Sequence, residues 1–591
     1  MSVVSVSIRG ILGETRDTLA RYRDRLSTGP VPLIMAALTV GAGAGLAAVV
    51  FRWLIQAATR VFTGTLDYAA TTGRPGHPWL PWIGGAFVIL APVVGGLLYG
   101  PLVQRFAREA RGHGVPEVMY AVSRRGGRIP GRVAVVKALA SAITIGSGGS
   151  VGREGPIVQI GSALGSTIGR VTRMSESQLR TLVACGAAAG IAATFNAPIA
   201  GVFFALELIL RDFATRSFAA VMLSSITASV IGRAVFGDHP FLLLPSFRVD
   251  QPGEYLLFAA LGLLAGAVGV LFSKLLYLIE DVCDWAWRGP EWLRPAVGGL
   301  LLGLLLFAMP QLYGVGYPVL EASVAGKYTI GFLLLLVVAK MVATSLTIGI
   351  GGSGGVFEPS LVIGAAFGAA VGEVVGLVIP GLAGQAGTFA LIGMAAVFAG
   401  STRAPITAGI ILFELTGEYT IILPLLLAVI VATGVSRVLS RDTIYTRKLS
   451  RRGVDLSAPA LPALGGVTVA SVMSAPPSAI PAERNARAAL AELGRSHRRA
   501  APVIGPDGRL VGVLTSADAT EALATDDTTG ARTVAELAEP IAAIAAHDHV
   551  GDVLESVVDA VTTDGMPVVA DGVLVGWLAP ADLLRAATRP A

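Results

Sequence analysis

Hydrophobic positions in this chain come in long unbroken runs. Residues 31–51, 255–273, 297–309 and 421–433 contain no charged side chain. A helix of ~20 apolar residues is long enough to cross a bilayer. Other apolar segments are shorter and interrupted by glycine, which suits helices that enter partway and stop against protein or a cavity. The pattern predicts roughly a dozen or more helical segments. After Gly453 it changes: residues 454–465 (VDLSAPALPALG) read as a linker rich in proline and alanine. From about residue 466, short β-rich runs alternate with helical stretches around Asp-Gly turns, as in a soluble α/β module.

The apolar part repeats itself. From Lys137 the chain reads KALASAITIGSGGSVGREGPIVQIGSALGSTIG, and from Lys340 it reads KMVATSLTIGIGGSGGVFEPSLVIGAAFGAAVG. The offset, 340 − 137 = 203, pairs Gly148-Gly149-Ser150 with Gly351-Gly352-Ser353 and Pro156 with Pro359. A second duplicated element sets Pro198 and Pro405 at one distance from Glu207 and Glu414, since 207 − 198 = 414 − 405 = 9. These two glutamates are expected at helix ends near water. Duplicated halves with Gly/Pro-broken apolar segments point to a transport site at mid-membrane. Each glycine loop leads into an apolar segment and so presents a helix N-terminus, whose unpaired N–H groups attract anions. The expected fold is a multi-span all-α membrane protein with two structurally repeated, inverted halves, followed by a cytoplasmic α/β module.

Composition agrees: 53% of the 591 residues are hydrophobic and 14% charged, which suits a membrane protein of more than one domain. Arg9, Arg16, Arg21, Arg23 and Arg25 lie along an amphipathic start that lacks the apolar core of a signal peptide. Arg437, Arg441, Arg447, Lys448, Arg451 and Arg452 follow the last apolar run. Positive flanks are expected on the cytoplasmic side. They account for the net charge of +5, so no nucleic-acid partner is expected. Cys185 and Cys283 read as inert core thiols.

Five motifs stand in order: Gly112-His113-Gly114-Val115-Pro116, Gly152-Arg153-Glu154-Gly155-Pro156, Phe195-Asn196-Ala197-Pro198, Gly355-Val356-Phe357-Glu358-Pro359 and a late Tyr445. Over residues 30–450 they resemble the CLC family of chloride channels and proton/chloride exchangers. The resemblance implies a homodimer with one pore per subunit, in a bacterial plasma membrane. It implies an anion site built from His113, Gly114, Gly155, the Val356 and Phe357 amides and the Tyr445 hydroxyl. Glu154 stands where the family has its gating glutamate, which occupies an anion position when ionised and vacates it when protonated. The physics runs the same way. An ion leaving water needs compensation, and partial charges at helix ends supply it without the grip of a full countercharge. A carboxyl group inside an apolar pore is a functional candidate by default. The plainer reading is a buried ion pair with Arg153.

Three positions depart from the family pattern. Exchangers usually carry two successive glutamates where this chain has Glu207-Leu208, and the leucine cannot carry a proton. Glu207 is then the candidate for proton entry, or it only packs near the cytoplasmic surface. His113 stands where serine is usual. Its ring N–H can donate to an anion, or the ring turns away and leaves backbone amides to line the pore. Glu358 stands where a small residue is common, and is expected to point away from the path and cap the start of its own helix.

The soluble part contains Ala501-Pro502-Val503-Ile504 through Asp518 and, again, Met566-Pro567-Val568-Val569 through Asp582. It resembles a tandem pair of CBS domains, read as 466–525 and 526–591, behind an N-terminal segment 1–29, a transport domain 30–450 and a linker 451–465. Such pairs often hold an adenine nucleotide (ATP, ADP or AMP). By resemblance Thr515, Asp518 and Asp582 are the candidates, although Ala579 replaces the second threonine. A dimerisation platform without ligand is the alternative.

A cation transporter would need carboxylate clusters along its pore. A membrane metalloprotease would need H-E-x-x-H, and His77, His113, His239, His497, His547 and His549 form no such pattern. The expected function is chloride transport gated by Glu154, with no enzymatic activity, no metal and no required cofactor. Proton/chloride exchange leads. The alternatives are an uncoupled voltage- or pH-gated chloride channel, and a CBS-regulated transporter of another anion such as nitrate.

Overall fold

The computed structural model describes residues 30–70, 76–79, 81–237, 252–379, 386–454, 467–495, 499–517, 532–539, 543–550, 553, 556–557 and 564–588. The chain divides into two compact units, 1–456 and 457–591.

The first unit is built twice from eight helices. The first half runs α1 (Pro30–Thr63), α2 (Phe87–Phe106), α3 (Val115–Arg124), α4 (Arg132–Gly146), α5 (Glu154–Val171), α6 (Glu176–Phe195), α7 (Pro198–Phe204, continuing as a π-turn through Leu210) and α8 (Thr215–Phe236). The second half runs α9 (Glu254–Ala286), α10 (Arg294–Ala308), α11 (Tyr317–Val324), α12 (Ile330–Gly349), α13 (Phe357–Val378), α14 (Ala386–Thr402), α15 (Pro405–Thr416) and α16 (Ile422–Leu439). A short α17 (Thr446–Ser450) follows. Packing repeats with order: α5 lies on α6 as α13 lies on α14, and α1 on α8 as α9 on α16. Small residues let these backbones approach. A β-carbon on Gly364 would stand 2.5 Å from the Gly393 carbonyl oxygen, and Gly161 meets Gly186 in the same way in the first half.

The halves meet at a self-complementary point. Gly152 N–H donates to the Gly355 carbonyl at 2.9 Å, and Gly355 N–H donates back at 2.6 Å, as an antiparallel bridge. These residues are repeat equivalents, since 152 + 203 = 355. The chain therefore crosses its own copy in the opposite direction, as inverted halves require. Among the described residues, eight helices are long and apolar enough to cross a membrane, and the Pro198–Leu210, α10, α14 and α15 segments are apolar but shorter. The protein is a multi-pass membrane protein.

Two buried lysines hold the loops that feed this crossing. Lys137 Nζ donates to the carbonyls of Ala110 (2.9 Å) and Gly112 (2.7 Å). Lys340, its repeat equivalent, donates to Gly314 (3.1 Å) and Val315 (3.2 Å) and to Ser150 Oγ (2.9 Å). The repeat thus extends back to the loops before α3 and α11, where Gly114 (φ 79°) and Gly316 (φ 99°) take a conformation that side chains disfavour. Glu207 and Glu414, expected at helix ends near water, are half-buried and cap each other's half. Glu414 accepts from the Ile199 and Ala200 amides at 3.0 and 2.6 Å. Glu207 accepts from the Ile406 and Thr407 amides at 3.2 and 2.8 Å and from Thr407 Oγ1 at 2.6 Å.

The second unit holds two copies of one small sheet. β1 (Ile480–Pro481) pairs parallel with β2 (Ala500–Ile504), which pairs antiparallel with β3 (Leu510–Thr515). β4 (Ile544–Ala545), β5 (Met566–Ala570) and β6 (Val573–Leu578) repeat that order. The register shifts at matched places, Val503/Ile504 and Val568/Val569.

Lys340→Met removes the donor that Gly314 O, Val315 O and Ser150 Oγ share. It should lower stability by roughly 3 kcal/mol, the order expected for several buried acceptors left unpaired. Thermal unfolding of the detergent-solubilised protein measures this, with Lys327→Met, at an exposed position, expected to leave the transition unmoved.

Candidate functional site

The Gly152–Gly355 bridge brings the starts of α5 and α13 to the two-fold axis, and the sequence-predicted residues gather around it. Glu154, His113, Val356, Phe357 and Tyr445 are all buried. Glu154 Oε1 accepts from the Phe357 amide at 2.7 Å. That amide belongs to the first turn of α13, where no helical acceptor exists. The Gly112–Pro116 loop packs on the start of α5: a β-carbon on Gly114 would stand 2.7 Å from the Gly155 carbonyl oxygen. The His113 ring lies 6.5 Å from the ring of Tyr445 and 6.3 Å from that of Tyr277.

Both ring nitrogens of His113, the Tyr445 hydroxyl and Glu154 Oε2 have no hydrogen-bond partner. Buried polar atoms are ordinarily satisfied. Here orphaned atoms from three separate elements converge beside an open helix N-terminus. The combination of N–H and O–H donors around a carboxylate with one unbonded oxygen suits an anion. Phe357 is packed between Phe195 (5.8 Å) and Phe398 (4.6 Å), which fixes the start of α13 and keeps water out.

Tyr445 is held from behind. The Ile444 amide donates to Ser401 O at 2.9 Å, and the Tyr277 hydroxyl donates to Ile444 O at 2.7 Å. Arg451 makes two bonds to Asp281 (2.7 and 2.8 Å) and Arg452 two to Glu117 (2.7 and 3.1 Å), pinning α17 to α9 and α3. These carboxylate bonds push both guanidinium groups above their ordinary range.

The ion pair between Arg153 and Glu154 that stood as the alternative to the gate is not formed: Arg153 Nε bonds Glu358 Oε1 at 3.2 Å. One expectation is corrected. Glu358 does not cap its own helix. It accepts from the Arg153 amide at 2.6 Å, at the start of α5 in the opposite half, and also from the Tyr317 hydroxyl. The signal for this was the unusual carboxylate itself, but sequence spacing could not reveal a partner across the two-fold axis. Lys137 and Lys340 went unassigned as well, although a lysine inside each apolar repeat was visible and calls for a function.

Glu207 serves as the cap described above, with three donors on its carboxylate. Leu208 is buried and offers no titratable group. In the second unit Asp582 is buried, its oxygens accepting from Ser474 Oγ (2.6 Å) and the Ala579 amide (3.0 Å). Thr515 is buried at the end of β3. Asp518 lies outside the described residues. Among the described residues no three His, Cys, Asp or Glu side chains gather to hold a metal ion.

An inverted helical repeat that aims opposed helix N-termini and orphaned donors at one buried point defines an anion-transport membrane protein. Residues 95–437 match the voltage gated chloride channel family model, and residues 469–525 match the CBS domain model. The chain belongs to the voltage gated chloride channel (CLC) family. It is 34% identical to a ClcB-like chloride channel protein of Ralstonia nicotianae, over 70% of this chain and 96% of that protein. It is 35% identical to the H+/Cl− exchange transporter ClcA of Vibrio parahaemolyticus, over 74% of this chain and 93% of that protein. Among solved structures it is similar to a slow cyanobacterial Cl−/H+ antiporter, with a TM-score of 0.64, 26% identity, and 71% of this chain and 97% of that one covered.

Tyr445→Phe removes one orphaned donor and nothing else. Chloride affinity, read by isothermal titration calorimetry, should fall about 5- to 10-fold, the worth of one hydrogen bond of ~1 kcal/mol.

Proposed function

We propose that the protein exchanges protons for chloride across a bacterial plasma membrane, working as a homodimer with both termini in the cytoplasm. The observation that carries this reading is the Glu154 carboxylate seated on the Phe357 amide, among orphaned donors of His113 and Tyr445. A carboxylate in that seat does what a chloride ion would do there: it neutralises the exposed start of α13. Protonation removes its charge, weakens the bond to the amide and lets an anion replace it. The group that moves aside then carries a proton, so one residue links the two fluxes. The names of the Vibrio parahaemolyticus relative and of the cyanobacterial structure support exchange. Since Leu208 has no acceptor, the proton crosses the cytoplasmic stretch through water. An uncoupled channel is the second reading, favoured by Leu208 together with a Glu207 carboxylate already engaged by three donors. An adenine nucleotide between the two sheet copies, near Thr515, Asp518 and Asp582, is a further part of the proposal, and ATP titrated into the full chain in detergent tests it.

The deciding experiment uses chloride-loaded proteoliposomes with an outward chloride gradient and the voltage clamped near zero. External pH should rise as protons enter uphill, and Glu154→Ala should abolish that movement while chloride efflux persists. Chloride efflux with no proton movement in the wild-type protein would make it an uncoupled channel.

A further inference from the structure

Glu358 is a charged group at the site to which the transport cycle assigns no task. Its carboxylate accepts from the Arg153 amide, from Arg153 Nε and from the Tyr317 hydroxyl. Two consequences reach Glu154. The guanidinium beside Glu154 in sequence is taken by Glu358, so Glu154 keeps one backbone donor and an oxygen with none. In addition, both carboxyl groups reach into the space that a β-carbon on Gly152 would fill, Glu154 through Oε2 and Glu358 through Oε2 at 2.7 Å from that point, so they stand against each other away from water. Like charges repel strongly there.

The other charged and titratable groups around the gate do not cancel this. Lys137 of α4 is within electrostatic reach of Glu154, but its Nζ is bonded to the Ala110 and Gly112 carbonyls. Tyr445, preceding α17, faces Glu154 as a neutral hydroxyl. Arg52 of α1 faces Arg153. His113 stands on the anion side of the site with both nitrogens unbonded.

We infer that Glu358 is a positioning residue for the gate: by holding Arg153 and standing beside Glu154, it makes the ionised gate costly, so that Glu154 takes up its proton and leaves the anion seat at a higher pH. This rests on the reading of Glu154 as the gate. Without Glu358, Arg153 loses its carboxylate partner and is no longer drawn away from Glu154. A chain with leucine at 208 has one proton station fewer, so the gate's own hold on the proton counts for more.

The test is chloride efflux from proteoliposomes across a range of pH, for wild type, Glu358→Gln, Tyr317→Phe, Glu154→Gln and the double variant Glu154→Gln/Glu358→Gln. Glu358→Gln should move the half-maximal pH towards acid by about one pH unit, the equivalent of ~1.4 kcal/mol between the two gate states. Tyr317→Phe removes the hydroxyl that donates to Glu358 and accepts from Arg153 Nη2 at 3.4 Å, and should shift the midpoint in the same direction by less. It also carries the test if Glu358→Gln fails to fold. The double variant should match Glu154→Gln, both without pH dependence. An unmoved midpoint in Glu358→Gln, or in Tyr317→Phe should that variant carry the test, overturns the inference if Glu154→Gln flattens the profile. A Glu154→Gln variant that keeps the wild-type profile sinks the gate reading itself. A shifted midpoint without uphill proton movement leaves the inference standing and removes only exchange.

Discussion

A helix that begins inside a membrane leaves amides that neither water nor lipid can satisfy. The transport unit begins α5 and α13 away from water, and there, as at the more exposed starts of α7 and α15, a carboxylate from the opposite half takes the amides. Glu154 serves α13, Glu358 serves α5, Glu207 serves α15 and Glu414 serves α7. Three of these carboxylates accept two or more bonds. Glu154 accepts one, and its second oxygen is idle. The site is the place where this capping scheme is incomplete, and where an external anion can take over the role of a side chain.

The surrounding structure serves to keep that one cap exchangeable. Glycines at 152 and 355 leave room for the Glu154 carboxyl against the backbone bridge. Lys137 and Lys340 fix the flanking loops through carbonyls, so their charges are spent on the scaffold and do not grip the permeating ion. Phe195 and Phe398 clamp Phe357, which keeps the amide aimed while its partner changes.

Much of this was legible in the sequence. The 203-residue offset announced two halves, and the loops at 152–156 and 355–359 announced helix starts that would attract an anion. The repeated strand–turn–strand pattern around Val503 and Val568 announced the paired sheets. What stayed hidden were the contacts across the axis other than the seat of Glu154 on the Phe357 amide, which the family resemblance implied. Arg153 and Glu154 are chain neighbours, and an ion pair between them stood as the alternative to the gate, yet the guanidinium bonds a carboxylate 205 residues away. The helix-end roles of Glu207 and Glu414 were visible, but not that each serves the other half. Spacing reports what lies on one helix face; it does not report which copy's residue fills the space on the far side.

The Gly152–Gly355 bridge also has an architectural meaning. A segment that pairs antiparallel with its own copy forms the contact that two separate identical chains would form across a dyad. Each half supplies caps to helix starts of the other half. The molecule is organised as a pair of half-length units joined end to end, holding each other as two subunits would. The copies differ at the bridge itself, where one loop carries Glu154 and the other, at the adjacent position, the glutamate that holds Arg153.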